Sequence, residues 1–299
     1  MRVLISGGTG FIGNYLTQAL LERGDEAAIL TRSLTGKKER PGVQYVTWDG
    51  NLETVVSECD AVVNMAGKNL FESRWNTQVK KDILSSRVET TRKLADAIVH
   101  SASKPRVFIS FSATGYYGSR GDEPLRETSA PGHDFLAEVC RKWEEAAEPV
   151  RKAGVRTVLP RIGIVKQKDD GALAKMLLPF QLFIGGPLGD GSQYYPWVHM
   201  DDVIGLLVHA LDNPDVSGPM NVAAPEHGTM KEFAKSLGSV LHRPSLFAVP
   251  EFALRLVVGQ AASAIVSSAR VVPAVALQTG YQFKFTDRRQ ALRDILNRN

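Results

Sequence analysis

The sequence predicts an α/β protein built on a doubly wound parallel sheet. Two observations carry that reading. The chain opens on a short apolar run, Arg2 to Ser6, that turns directly into a glycine cluster and then into a helical segment, Phe11 to Arg23, with Ile12, Leu16, Ala19 and Leu20 at helical spacing. A second apolar run, Glu26 to Arg32, completes a β-α-β unit within about thirty residues, and further apolar runs alternate with helical segments down the first half.

The glycines fit both Gly7-x-x-Gly10-x-x-Gly13 and Gly8-x-Gly10-x-x-Gly13. Each has a mechanical task in a dinucleotide site: a tight turn after the strand, close approach of backbone to a pyrophosphate, and close packing of helix on sheet. The helix start adds unpaired N–H groups and the positive end of a dipole. Gly7, Thr9, Gly10, Phe11, Ile12 and Gly13 are therefore the candidate phosphate cradle of a Rossmann-type domain.

The end of the second strand selects the cofactor. A carboxylate there would hold a ribose 2′-OH and repel a 2′-phosphate, but the strand ends Leu30-Thr31-Arg32-Ser33. Arg32 can stack on adenine and pair with a 2′-phosphate, with Thr31 or Ser33 adding a hydrogen bond, so NADP is preferred over NAD. Val43 to Trp48 reads as a third strand followed by Asp49, either an adenine contact or a turn residue. Ala61 to Met65 is the fourth, and the small residues of Met65-Ala66-Gly67 let backbone lie close to a ribose and pyrophosphate. The helix from about Asn76 to His100 carries Asp82 and Arg87, which either face the phosphates or form a surface ion pair.

Arg106 to Phe111 reads as a fifth strand that breaks into Ser112-Ala113-Thr114-Gly115-Tyr116-Tyr117-Gly118. Hydroxyl groups thus emerge at the carboxyl end of a central strand, where open α/β sheets bind ligands. A helix from Phe135 to Lys152 follows, then a sixth strand, Thr157 to Val165. Beyond it come a helix from Gly171, a glycine-rich loop from Gly185 to Ser192, a helix opened by Asp201 or Asp202 as N-cap, a short strand at Asn221 to Ala223 and a helix from Met230 to Leu241. The remainder is mainly helical, with one candidate strand at Gln282 to Phe285. Residues 1–166, with part of 198–228 returning to them, are assigned to the nucleotide domain, and 167–299 to a discontinuous substrate domain.

Composition excludes several classes. The 299 residues, 43% hydrophobic and 23% charged, can bury a sizeable core, and a net charge of +4 without an aromatic platform is no nucleic-acid footprint. Two cysteines, Cys59 and Cys140, make no disulfide framework and fit a reducing compartment, with the cytoplasm expected. No segment is convincing as a membrane span, so no membrane partner is expected. Six scattered histidines and no Cys-x-x-Cys give no metal-ligand spacing.

GGTGFIG, SSRVETTRKLADAI, SATGYYG, PRIGIVKQKDDGALAKMLLPF and WVHMDDV together resemble the extended short-chain dehydrogenase/reductases, the sugar-nucleotide epimerase and dehydratase group, and more closely an atypical branch known as an epimerase family. The resemblance spans nearly the whole chain. It implies a seven-stranded parallel sheet, a smaller carboxyl-terminal domain closing over a small-molecule substrate, a nucleotide-sugar as substrate class, and a homodimer. In active members a tyrosine four residues before a lysine is the general acid/base, and a Ser/Thr after the fifth strand holds the reacting oxygen. Ser112 matches that Ser/Thr. The tyrosine-lysine pair has no counterpart: the corresponding helix reads Leu136-Ala-Glu-Val-Cys-Arg-Lys142, and no tyrosine in the chain has lysine four residues on. Arg87 stands where the family has an asparagine.

These residues support an NADP-dependent epimerase or reductase acting by hydride transfer at a carbon bearing oxygen. Ser112 and Thr114 would orient that oxygen, and Tyr116 or Tyr117, on the same loop, would supply the proton. Cys140, Glu138 and His199 are weaker candidates, His199 being better suited to capping or core hydrogen bonding. The competing reading is a non-catalytic NADP-binding redox sensor or interaction module that keeps the glycine turn and lacks the catalytic pair.

Overall fold

The computed structural model describes residues 1–166 and 171–297, so Gln167 to Asp170 of the resemblance motif lie outside the described residues. In chain order the strands are β1 (Arg2–Ser6), β2 (Glu26–Thr31), β3 (Val43–Thr47), β4 (Ala61–Asn64), β5 (Val107–Ser110) and β6 (Ser112–Ala113). They continue with β7 (Pro124–Leu125), β8 (Arg156–Ile162), β9 (Ile164–Lys166), β10 (Trp197–His199), β11 (Gly218–Val222) and β12 (Arg270–Val271). One parallel sheet runs β3-β2-β1-β4-β5-β8-β11, with β6 pairing against β8 beyond the end of β5. The order reverses at β1, whose neighbours β2 and β4 carry the chain to opposite edges. That reversal leaves a crevice at the carboxyl ends of the strands.

Helices α1 (Phe11–Glu22), α2 (Leu52–Ser57), α3 (Thr77–His100), α4 (Phe135–Lys152), α5 (Gly171–Gln181), α6 (Met200–Asp212), α7 (Met230–Leu241) and α8 (Glu251–Val258) account for most of the rest. The period of two along β1 splits its side chains between two cores. Val3 and Ile5 pack with Leu16 and Leu20 of α1 and Val203, Leu206 and Leu207 of α6. Leu4 packs on the other face with Leu94 and Ile98 of α3 and Ala147 and Val150 of α4. A separate core, which includes Phe180, Trp197, Phe233 and Leu292, supports the second half.

Three expectations are corrected. The sixth strand does not run unbroken to Val165: β8 ends at Ile162, and Ile164–Lys166 leaves the sheet to pair with Trp197–His199. Gly163 is the crossing point, where a Cβ would lie 2.4 Å from the Pro196 carbonyl oxygen. The N-cap of α6 is His199, whose Nδ1 accepts from the Asp201 N–H at 3.0 Å, rather than Asp201 or Asp202. Gln282 to Phe285 is not a strand, because the Lys284 and Phe285 N–H groups donate to the buried Asp202 carboxylate at 2.7 and 3.0 Å instead of to a neighbouring strand.

Lys166 is the most unusual core residue. Its amine nitrogen is buried, lies 4.2 and 4.5 Å from the ring centroids of Tyr195 and Phe233, and donates to the Tyr195 hydroxyl. Burial pushes its pKa well below the ordinary lysine range and pushes that of Tyr195 up. The unfolded chain therefore binds a proton that the folded chain excludes, so this residue takes away stability as pH falls from the unfolded lysine pKa towards the lower folded value. A Lys166→Met/Tyr195→Phe double substitution removes the amine and its partner together. Thermal unfolding followed from about pH 10 down to about pH 7 should show the variant gaining on the parent as pH falls; parallel melting curves across that range would contradict this account.

Candidate functional site

The turn after β1 is shaped by two glycines. Gly7 has φ +73°, a left-handed conformation that side chains disfavour, and a Cβ on Gly13 would lie 2.2 Å from the Gly7 carbonyl oxygen. Gly10 is the N-cap of α1 and supplies no capping side chain. The first N–H groups of α1 are consequently left without a capping side chain, next to exposed Thr9 and Gly10 and half-buried Phe11 and Ile12.

A buried network not foreseen from the sequence holds the facing wall. Ser6 Oγ donates to Asn64 Oδ1 at 2.6 Å and accepts from the N–H groups of Met65 and Ala66 at 3.2 and 3.3 Å. Asn64 Nδ2 donates to Thr91 at 2.7 Å and Ser110 at 3.2 Å, and the Trp143 indole donates to the same Thr91 hydroxyl at 3.0 Å. Two central strands are thereby fastened to α3 and α4, and Met65-Ala66-Gly67 is held beside Gly7, whose Cβ would come 3.0 Å from the Met65 carbonyl carbon.

Arg87 lies directly against this segment. A Cβ on Gly67 would sit 3.0 Å from its guanidinium carbon. Its Nη1 donates to the Ile83 carbonyl at 3.0 Å, and the group lies 5.1 Å from the Trp143 ring centroid. Among the described residues no carboxylate pairs with it, and burial lowers its pKa. Asp82 is not its partner: that carboxylate is taken by Lys68 at 2.8 Å and Gln78 at 2.6 Å. At the other side, Arg32 is exposed at the end of β2, while Thr31 Oγ1 donates to the Ser33 carbonyl at 2.9 Å. Asp49 is exposed in the turn after β3.

The segment after β5 is organised by a buried ion pair. Arg161, 2% exposed on β8, reaches Glu144 of α4 through Nε and Nη2 at 2.8 and 2.9 Å. Burial works against its charge, but the Glu144 carboxylate outweighs that and raises its pKa. Ser112 Oγ donates to the same Glu144 at 2.7 Å. The Tyr116 ring lies over the guanidinium, its centroid 3.5 Å from the guanidinium carbon. Tyr117 is fully buried: its hydroxyl donates to Asn221 Oδ1 at 2.6 Å and accepts from Arg161 at 3.0 Å, and burial pushes its pKa up to about 12. Thr114 is buried beside it.

The face of α4 turned to this segment bears Leu136 and Cys140, both near the position a Gly115 Cβ would occupy. Burial pushes the Cys140 thiol up to about 12, so at neutral pH it stays protonated. Glu138 points elsewhere, paired with Lys142 at 2.6 Å. His199 is buried, caps α6 and contacts Asp294 at 3.1 Å. Of the four residues that follow one another after β5, Ser112, Thr114 and Tyr117 are buried and Tyr116 is half-buried; Glu144 and Arg161 were missed because each reads as an ordinary helix or strand charge. A cavity of about 740 Å³ opens next to the segment, lined among others by Ser119, Asp122, Gln193, Tyr194, Glu251 and Ser268.

Comparison with known proteins locates these features within a family. Residues 3–138 match the NAD dependent epimerase/dehydratase family, and residues 249–295 match a domain of unknown function, DUF1731. The chain is 40% identical to the Arabidopsis thaliana "Epimerase family protein SDR39U1 homolog, chloroplastic" over 99% of its length and 87% of that protein. It superimposes with TM-score 0.91 on the crystal structure of human epimerase family protein SDR39U1 with NADPH, at 38% identity and covering 99% of both chains. A nucleoside-diphosphate sugar epimerase from Corynebacterium glutamicum gives TM-score 0.78 at 31% identity, covering 99% of this chain and 58% of that one.

The turn geometry predicts the outcome of a single methyl group. Gly13→Ala places its Cβ inside contact distance of backbone on both Gly7 and Gly8, so it should cost about 1–3 kcal/mol of stability. Circular-dichroism melting checks it; a melting temperature unchanged from the parent would show that the turn is not close-packed.

Proposed function

This chain belongs to the epimerase family, and we propose that it binds NADP(H) across the carboxyl edge of its sheet and carries out hydride transfer at a carbonyl or hydroxyl carbon. The observation that carries this reading is Arg87: a half-buried guanidinium with no carboxylate partner among the described residues, set against the backbone of Gly67. A cation partly withdrawn from water and without a counter-charge is stabilised by an anion that completes it. The open first turn of α1 and the exposed Arg32 suit the pyrophosphate and the 2′-phosphate of one and the same ligand. Gly7 through Gly13, Thr31, Arg32, Met65, Ala66, Gly67 and Arg87 would hold it, with Asp49 near the adenine and Asp82 acting through Lys68. NADPH when bound supplies the hydride.

The chain's own groups would manage the proton. The Ser112 hydroxyl hydrogen is committed to Glu144, so the Ser112 oxygen offers lone pairs to a substrate hydroxyl. Where a hydroxyl carbon gives its hydride to the oxidised cofactor, the hydroxyl proton would pass to Ser112 as Ser112 gives its own to Glu144. Where NADPH gives hydride to a carbonyl carbon, the same relay would run in reverse and deliver a proton from Glu144 through Ser112 to the oxygen, with Arg161 holding the Glu144 carboxyl in place. Tyr116, held over Arg161, would border the reacting group, whereas Tyr117 supports Arg161 from beneath. The substrate would be a small molecule, a nucleotide-sugar being the class that the Corynebacterium glutamicum relative is named for.

One observation favours a second reading, a non-catalytic NADP-binding sensor or interaction module. Leu136 and Cys140 face Ser112 and its loop where a proton-transferring pair would serve. Titration with NADPH and NADH, followed by turnover on carbonyl compounds and nucleotide-sugars, separates the two. NADPH should bind more tightly than NADH, and Arg32→Ala should weaken NADPH alone by about tenfold to about a hundredfold, the worth of a charge-assisted hydrogen bond. Glu144→Gln should lower kcat by about a hundredfold or more and lower the melting temperature as well, since it leaves Arg161 buried without its carboxylate. Binding without turnover by any substrate supports the sensor; failure of both nucleotides to bind removes both readings.

A further inference from the structure

One half-buried arginine stands without a partner. The Arg270 side chain, on β12, makes no hydrogen bond or ion pair among the described residues, and its Nε is sealed from solvent with nothing to donate to. The other half-buried arginines in the second half of the chain are engaged. Arg288 pairs with Glu226 at 2.9 Å, Arg156 donates to the Ala210 and Val216 carbonyls at 2.8 and 2.9 Å, and Arg243 donates to the His242 carbonyl at 3.1 Å. A guanidinium donor withdrawn from water and left unmade is costly, and an anion is the acceptor that completes it most strongly.

His227 is its neighbour across Tyr194. The Tyr194 carbonyl accepts from the Ala269 N–H at 3.2 Å on one side, and the Tyr195 N–H donates to the Gly228 carbonyl at 2.9 Å on the other. Arg270 and His227, each one residue from those contacts, are thereby brought to the two flanks of one short segment. The Arg270 guanidinium carbon lies 5.5 Å from the Tyr194 ring centroid. The half-buried His227 side chain also makes no hydrogen bond among the described residues, and burial, together with the Arg270 charge, lowers its pKa. Glu226, next to it in sequence, is turned to Arg288 and supplies no counter-charge.

Both groups belong to the edge of the sheet that carries Ser112. His227 follows the carboxyl end of β11 by five residues. Val222, the last residue of β11, is in register with Ile162, and Ile162 with Ala113 beside Ser112. Two strand spacings therefore separate the end of β11 from the Ser112 segment, about 10 Å. An arginine fork takes two oxygens of an anion and an imidazole N–H takes a third, which a phosphate group offers and a carboxylate does not.

We propose that Arg270 and His227 form a subsite for a phosphate group of the substrate, which enters with its reacting carbon at Ser112. The placing of the reacting carbon rests on the proposed hydride transfer; the anion subsite stands without it.

Calorimetric titration with inorganic pyrophosphate, and in parallel with malonate, tests the subsite with and without saturating NADPH. The parent loaded with NADPH should bind pyrophosphate in preference to malonate. Arg270→Met and Arg270→Gln should each weaken pyrophosphate by about tenfold to about a hundredfold, and His227→Ala by a smaller factor of about threefold to tenfold. In the absence of anions the Arg270→Met melting temperature should hold or rise, because no internal partner is lost. Added pyrophosphate should then raise the melting temperature of the parent more than that of the variant. Equal pyrophosphate affinity in the parent and both Arg270 variants overturns the proposal, as does a preference for malonate. So does an Arg270-dependent affinity that vanishes once NADPH is bound, which would assign the arginine to the cofactor. If NADPH itself does not bind, the hydride-transfer reading fails, and the same comparison of parent and variants without nucleotide still decides the subsite.

Discussion

The Arg161–Glu144 ion pair is the interaction on which the carboxyl edge of the sheet depends. Arg161 projects from a central strand with almost no solvent contact and must be neutralised where it stands. Glu144 does this with both oxygens, and in doing so ties α4 to β8. The remaining guanidinium donors reach the Tyr117 hydroxyl and the Glu127 carbonyl, so the loop after β5 and the segment near β7 are set by the same side chain. Ser112 and Tyr116 inherit their positions from it. Removing either charge leaves the other buried and unpaired, a cost of about 3–5 kcal/mol in comparable cases.

A second polar system works in the opposite sense. Ser6, Asn64, Thr91 and Ser110 satisfy one another almost completely and make the floor of the crevice rigid. Above that floor the cationic groups are left incomplete: among the described residues Arg87 meets a carbonyl and an aromatic face but no carboxylate, and Arg32 stands in solvent. Rigid neutral groups below and uncompensated positive charge above are what recognition of a phosphorylated dinucleotide requires. The contrast with Lys166 is instructive. That amine is buried as well, but desolvation drives it towards the neutral form, so it adds little positive potential.

Much of the fold was legible because local rules and global packing agree. The glycine spacing, the apolar runs of β1, β2 and β4, and the Phe135–Lys152 and Met230–Leu241 helices all follow from periodicity and turn chemistry that act over a few residues. Readings failed where a side chain from far along the chain replaced a local partner. Asp202 accepts the N–H groups that would otherwise have paired Gln282 to Phe285 as a strand, across some eighty positions. Gly163 breaks the sixth strand because the Pro196 backbone passes over it. Neither partner can be inferred from its neighbours in sequence.

The candidate site divides along the same line. Groups presented by backbone at a strand end, Gly7 to Gly13, Arg32 and the Ser112 loop, can be placed from the sequence alone, since strand direction and the β-α turn dictate where they emerge. Glu144, Arg161 and Asn221 carry no such local signature, and it took the packing of α4 and β11 about β8 to set Ser112 on the Glu144 carboxylate and to make two adjacent tyrosines unlike, one half-buried and one sealed in. The sequence by itself determined the class of fold and the place of the nucleotide turn, which depend on short-range periodicity and glycine stereochemistry. Which charges are paired, which are left open and which apolar groups face outward was decided by tertiary structure, because burial and charge neutralisation are properties of neighbours in space.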